Sequence, residues 1–83
     1  MIIVYTKPGF CQQCDATKRA LTKRGLTYIE SDLYAEENAH VLEVAKARGM
    51  SAAPIVCVQD DATSLELAMW SGFRPDLIRA LEL

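Results

Sequence analysis

Two cysteines three positions apart, Cys11 and Cys14, stand where a buried apolar run gives way to a helical pattern, which is where a redox dithiol belongs. The run before them, Ile2-Ile3-Val4-Tyr5, is β-branched and aromatic without alternation, as in a strand buried on both faces. Thr6-Lys7-Pro8-Gly9 breaks it. A helix is predicted from Cys11 or Gln12 to about Arg24, with Ala16, Thr17, Ala20 and Leu21 inward and Lys18, Arg19, Lys23 and Arg24 toward water. Gly25 stops it.

The pattern then repeats once. Thr27-Tyr28-Ile29-Glu30 reads as a second strand, and Ser31-Asp32 leads into a second helix from about Glu36 to Arg48. Its buried stripe is Val41, Leu42, Ala45 and Val44, and Gly49 ends it. Pro54 precedes a third strand, Ile55 to Gln59; Asp60 to Ser64 turns, and Leu65 to Met69 pairs back as a fourth. Trp70-Ser71-Gly72 reads as a connector. Pro75 suits the first position of a closing helix that buries Leu77, Ile78 and Leu81.

The predicted order is β-α-β-α-β-β-α: an α/β domain with a four-stranded mixed sheet flanked by three helices. With 83 residues and no linker, residues 1–83 form one domain. A net charge of −2 argues against a general nucleic-acid binder, and Lys18 to Arg24 reads as a solvated helix face rather than a basic patch. No apolar run is long enough to span a membrane. Met1 to Tyr5 lacks the length and basic start of a signal peptide, so a cytoplasmic location is expected.

That location bears on the cysteines, because cytosolic thiols are kept reduced and a disulfide there is usually transient and catalytic. At a helix start, unpaired N–H groups and the helix dipole lower a thiol's pKa from about 8.5 toward roughly 3.5–7.5. Cys11 takes that position, and Lys7 adds a nearby positive charge. Cys14 lies on the same helix face, with Cα atoms roughly 5–6 Å away and within disulfide reach. Cys11 is therefore the expected attacking thiol and Cys14 the resolving one, with the redox-active disulfide in place of any bound cofactor.

Zinc is the structural alternative for the same spacing. A tetrahedral site needs four ligands, and only Cys57 and His40 remain to complete it. Cys57, alternating with Ile55, reads as a small core residue, and His40 as a surface side chain. Pro54 admits two readings: a plain strand-start proline, or a cis peptide whose Ala53 presents its backbone beside Cys11.

Val4-Tyr5-Thr6-Lys7-Pro8, Cys11-x-x-Cys14 and Thr17-Lys18 together resemble the opening of glutaredoxins, and Ala53-Pro54-Ile55-Val56 resembles their cis-proline segment. Trp70-Ser71-Gly72-Phe73-Arg74-Pro75-Asp76, with Gln13 in the dithiol motif, resembles the signature of NrdH-redoxins. The resemblance covers nearly the whole chain and implies a thioredoxin/glutaredoxin fold. It also implies electrons received from NADPH through thioredoxin reductase and passed to the catalytic-subunit disulfide of class Ib ribonucleotide reductase. A monomer is expected, since the dithiol must dock two partners in turn. By the same resemblance Lys7, Phe10, Gln12, Gln13, Ala53, Pro54, Trp70, Gly72, Phe73 and Arg74 are candidate partner-binding residues.

Trp70 is then either a core aromatic or part of an exposed rim round Cys11. Phe73 stands where glutaredoxins that hold glutathione have a second glycine, while Arg74 keeps a positive charge nearby. Two features depart from the family: Gln12 replaces an apolar residue, and Asp60 to Ala68 is longer than the usual hairpin. The rival expectations are a general glutathione-dependent glutaredoxin and a thiol-sensing regulator of the Spx type.

Overall fold

In the computed structural model, which describes residues 1–82, four strands and three helices follow one another in the predicted order. Leu83, the last residue of the expected domain, lies outside the described residues. The sheet order is β2-β1-β3-β4, with β1 (Ile2–Thr6) parallel to β2 (Ile29–Asp32) and antiparallel to β3 (Ile55–Gln59). The outer strand β4 (Glu66–Ser71) pairs antiparallel with β3.

Alternation along the central strands builds two cores. Ile2 and Val4 of β1, Val56 and Val58 of β3, and Trp70 of β4 pack on one face with Leu21 and Ile78. Leu21 comes from α1 (Gln12–Lys23) and Ile78 from α3 (Pro75–Arg79). On the other face Tyr5, Leu33 and Ile55 meet Val41 and Ala45 of α2 (Ala39–Ala47). The continuous apolar runs of β1 and β3 thus reflect strands covered on both sides.

Several expectations are corrected. β2 starts at Ile29 rather than Thr27 and includes Ser31 and Asp32. It is an edge strand with Ile29 half exposed, so it lacks the apolar signal that marks a boundary. Glu36–Asn38 form a 3-10 turn before α2, and Val44 faces solvent instead of the core. Lys18 is half buried rather than free in water: its ammonium pairs with Glu30 on β2 at 3.2 Å and with Asp15 at 3.7 Å. The hydrogen bond to Glu30 holds the Lys18 pKa above its usual value. Arg24 donates to the carbonyl of Ile78, tying the end of α1 to α3.

The hairpin between β3 and β4 also differs. Trp70 and Ser71 are not a connector but strand residues, opposite Val56 and Ile55. The 60–68 segment holds a turn in which the Asp60 carboxylate accepts the N–H groups of Ala62 and Thr63. A register irregularity follows at Val58/Gln59. Cys57 is only partly buried, on the α2 face, with Ile3 and Met69 as its neighbours on β1 and β4.

Candidate active site

The start of α1 is capped by a cysteine. Cys11 has extended backbone angles (φ −145°, ψ 96°), and its Sγ accepts the Cys14 N–H at 3.2 Å. A sulfur thus takes the place of the usual Ser, Thr or Asp oxygen at a helix start. Such a donor, with the positive end of the helix dipole, favours sulfur as an anion. Cys11 and Cys14 are joined by a disulfide, with Cα atoms 5.2 Å apart.

The two sulfurs differ in access. Cys11 retains 8% exposure and Cys14 2%, and Cys11 lines a surface hollow of about 400 Å³. Lys7, Phe10, Gln12, Gln13 and Ala53 border the same hollow, so five of the expected partner-binding residues converge on the dithiol. Tyr34, Ser51 and Ala52 complete it, and sequence reasoning missed all three. They come from loops far along the chain, and a lone exposed tyrosine before a helix was the only sequence cue. A larger hollow of about 540 Å³ lies at Met1, Gly25, Tyr28 and Asp61, with no cysteine in its lining.

The segment facing Cys11 is held from behind. The Ala53–Pro54 peptide is cis, the second of the two readings of Pro54. Ser71 Oγ accepts the Ala52 N–H at 3.0 Å and donates to the Ala52 carbonyl, so both polar backbone groups of Ala52 are engaged. Gly72 donates its N–H to the Pro54 carbonyl at 2.8 Å. Ala53 differs: among the described residues neither its N–H nor its C=O has an intramolecular partner.

The turn after β4 joins this assembly through Gln13, whose Oε1 accepts the Phe73 N–H at 2.9 Å. Gly72 stands at φ +78°, where any side chain strains the backbone, and a Cβ there would come within 2.8 Å of the same oxygen and push it aside. Gly72 and Phe73 therefore adjoin the dithiol helix as structural neighbours rather than as open surface.

Two expected residues lie elsewhere. Trp70 is 4% exposed in the α1–α3 core, which settles it as a core aromatic and removes it from any exposed rim. Arg74 is exposed but does not line the hollow; it forms a two-pronged pair with Asp76 at 3.1 and 2.9 Å. That pairing holds the Asp76 carboxyl below its usual range.

Burial pushes the Cys57 thiol up to about 11, reinforced by Glu66 and opposed by Arg48, so it stays protonated at neutral pH. Among the described residues no group of three or more His, Cys, Asp or Glu side chains is placed to hold a metal ion. None of their helices is long and apolar enough to cross a membrane.

Comparison with known proteins agrees with this geometry. The glutaredoxin family model matches residues 2–62. The glutaredoxin-like protein NrdH of Escherichia coli K12 is 38% identical over 82 residues, covering 96% of this chain and 86% of that protein. Its counterpart in Salmonella typhimurium is 35% identical over the same shares. The solved structure of NrdH-redoxin from Escherichia coli, a glutaredoxin-like protein with a thioredoxin-like activity profile, superposes with a TM-score of 0.72. It is 34% identical, with 99% of this chain and 95% of that one covered. A thioredoxin from Plasmodium falciparum, 13% identical, shares the fold at a TM-score of 0.56, over 94% of this chain and 76% of that one.

Proposed function

The chain belongs to the glutaredoxin family, among its NrdH glutaredoxin-like thiol–disulfide oxidoreductases, and on that basis we propose that it donates electrons to class Ib ribonucleotide reductase. NADPH supplies them through thioredoxin reductase, and the Cys11–Cys14 pair carries them without a bound cofactor. The reaction takes place in the cytoplasm, with the chain acting as a monomer that docks its two partners alternately.

The observation that carries this reading is the asymmetry of the pair: Cys11 Sγ borders the hollow at a helix start, while Cys14 lies behind it. In the reduced chain, Cys11 thiolate attacks one sulfur of the partner's disulfide. A Cys11–partner S–S bond forms, the partner's own S–S bond breaks, and the released thiolate takes a proton. Cys14 thiolate then attacks Cys11 Sγ, closing the Cys11–Cys14 bond and expelling the second partner thiolate, which is also protonated. Two electrons leave the chain per cycle. The free N–H and C=O of Ala53 suit pairing with an extended segment of the partner beside the reacting sulfurs.

Two features support thioredoxin reductase over glutathione as the electron source. Phe73 occupies the turn where glutathione-binding relatives have a glycine, and its N–H is already bonded to Gln13. Arg74, which lies outside the hollow, is held by Asp76 in an exposed ion pair. The relative of known structure is itself described as having a thioredoxin-like activity profile.

The test follows NADPH oxidation with the chain and a disulfide substrate, comparing thioredoxin reductase with glutathione plus glutathione reductase. Turnover with thioredoxin reductase and none above background with glutathione is expected. Turnover with glutathione alone would overturn the proposed electron source.

A further inference from the structure

The hollow beside Cys11 is flanked by two aromatic side chains that thiol–disulfide exchange itself does not require. Phe10, immediately before the attacking cysteine, is 84% exposed, more than any other large apolar side chain among the described residues. Tyr34, 59% exposed, reaches the same hollow from the loop after β2, where the Asp32 carboxylate accepts its N–H at 2.8 Å. The exposed Leu65 and Leu67 do not line it.

Burying a phenylalanine ring is favourable, and in the free chain that gain is unrealised at Phe10. It becomes available to whatever docks at Cys11. The third wall is Ala53, with its unpaired backbone groups. Lys7 stands at the same hollow, exposed and without an ion pair among the described residues. The hollow thus offers an apolar clamp, a strand-like pairing edge and one unneutralised cation.

We infer that Phe10 and Tyr34 determine substrate choice by gripping the apolar side chain next to the reactive cysteine of an extended polypeptide segment, whose carboxylate pairs with Lys7. This rests on the reading that Cys11 attacks a protein disulfide. Exposed aromatic rings are the side chains that most often anchor such contacts, because they bury a large area at little entropic cost.

The test uses the full chain, reduced beforehand, and four peptides of equal length with an internal disulfide. The residue after the first cysteine is Leu or Ser, and a nearby position is Glu or Lys; rates of peptide reduction are read by chromatography after acid quenching. The wild type is expected to reduce Leu peptides about tenfold faster than Ser peptides, equivalent to about 1.4 kcal/mol. Glu peptides are expected to outpace Lys peptides. Phe10→Ala and Tyr34→Ala collapse the Leu/Ser ratio toward one, Phe10→Trp retains it, and Lys7→Gln removes the Glu/Lys preference alone.

Equal wild-type rates for Leu and Ser peptides would overturn the inference, as would a Leu/Ser ratio that survives Phe10→Ala. Reduction of hydroxyethyl disulfide but of none of the peptides would also overturn the inference, whereas failure of the wild type to reduce any of these disulfides would instead overturn the oxidoreductase reading on which it rests.

Discussion

The side-chain oxygen of Gln13 accepts the backbone N–H of Phe73 at 2.9 Å, fastening the helix that carries both cysteines to the turn after the last strand. Sixty residues of sequence separate the two partners. The same oxygen occupies the space where a Cβ on residue 72 would lie.

Gly72→Ala therefore places a methyl group 2.8 Å from Gln13 Oε1 and a side chain at φ +78°. The strained backbone alone costs about 1–3 kcal/mol. Urea denaturation should show this loss. The Gln13 oxygen swings clear of that methyl at the cost of its bond to Phe73, so adding Gln13→Ala should change stability little further and the double variant should stay close to Gly72→Ala.

Ser71 holds Ala52 by both of its backbone polar groups. Ser71→Ala leaves that N–H and C=O without their partner, at about 1–3 kcal/mol for a buried group and less where water can reach. For a domain of this size each 1 kcal/mol lowers Tm by about 4–8 °C. Thermal unfolding followed by circular dichroism should show a drop within that range. Since Ala52 and Ala53 border the hollow at Cys11, kcat/KM for a protein disulfide should fall as well.

The two cysteines should separate cleanly in their variants. Cys14→Ser leaves Cys11 able to attack but nothing to release the partner, so a mixed disulfide accumulates, visible as a mass shift on non-reducing gels. Cys11→Ser removes the sulfur of the pair that borders the hollow and should abolish both turnover and adduct. An adduct formed through Cys14 in the Cys11→Ser chain would reverse the assigned roles.

Cys57 provides a pH signature. Burial raises its thiol from a usual value near 9 to about 11, so the folded state binds its proton more tightly than the unfolded chain does. By linkage its contribution to stability is complete below about pH 9 and declines as pH rises toward 11. Denaturant midpoints should fall over that window, and Cys57→Ala should flatten that part of the decline. At pH 7 iodoacetamide should modify Cys11 of the reduced chain well before Cys57, as mass spectrometry of the digested protein would show.

What the sequence revealed and what it hid follow one physical division. β1, α1 and β3 were legible because strands covered on both faces require unbroken apolar runs, and because a helix start, a breaker and a cysteine pair are local signals. The edge strands were harder. β2 exposes Ile29 and Glu30, and β4 takes Trp70 and Ser71 into register with Val56 and Ile55 through pairing that no neighbouring residue announces.

The dithiol was readable for the same local reasons, whereas Pro54 kept two readings until its likeness to the glutaredoxin cis-proline segment favoured the cis peptide that the structure has. The bonds from Ser71 to Ala52 and from Gln13 to Phe73 exist only once the chain has closed. Trp70 had two readings because an aromatic beside a glycine turn fits either a core or a rim; its place opposite Val56 put it in the core. Tyr34 went unnoticed because nothing near it in sequence bears on thiol chemistry.

The measurement that tests the central claim most directly is reduction of CDP by a class Ib ribonucleotide reductase, with NADPH, thioredoxin reductase and this chain as the only route for electrons. The account predicts multiple turnovers that saturate with the chain's concentration and cease with Cys14→Ser. Failure to drive CDP reduction by a chain that still reduces small disulfides under the same conditions would contradict it.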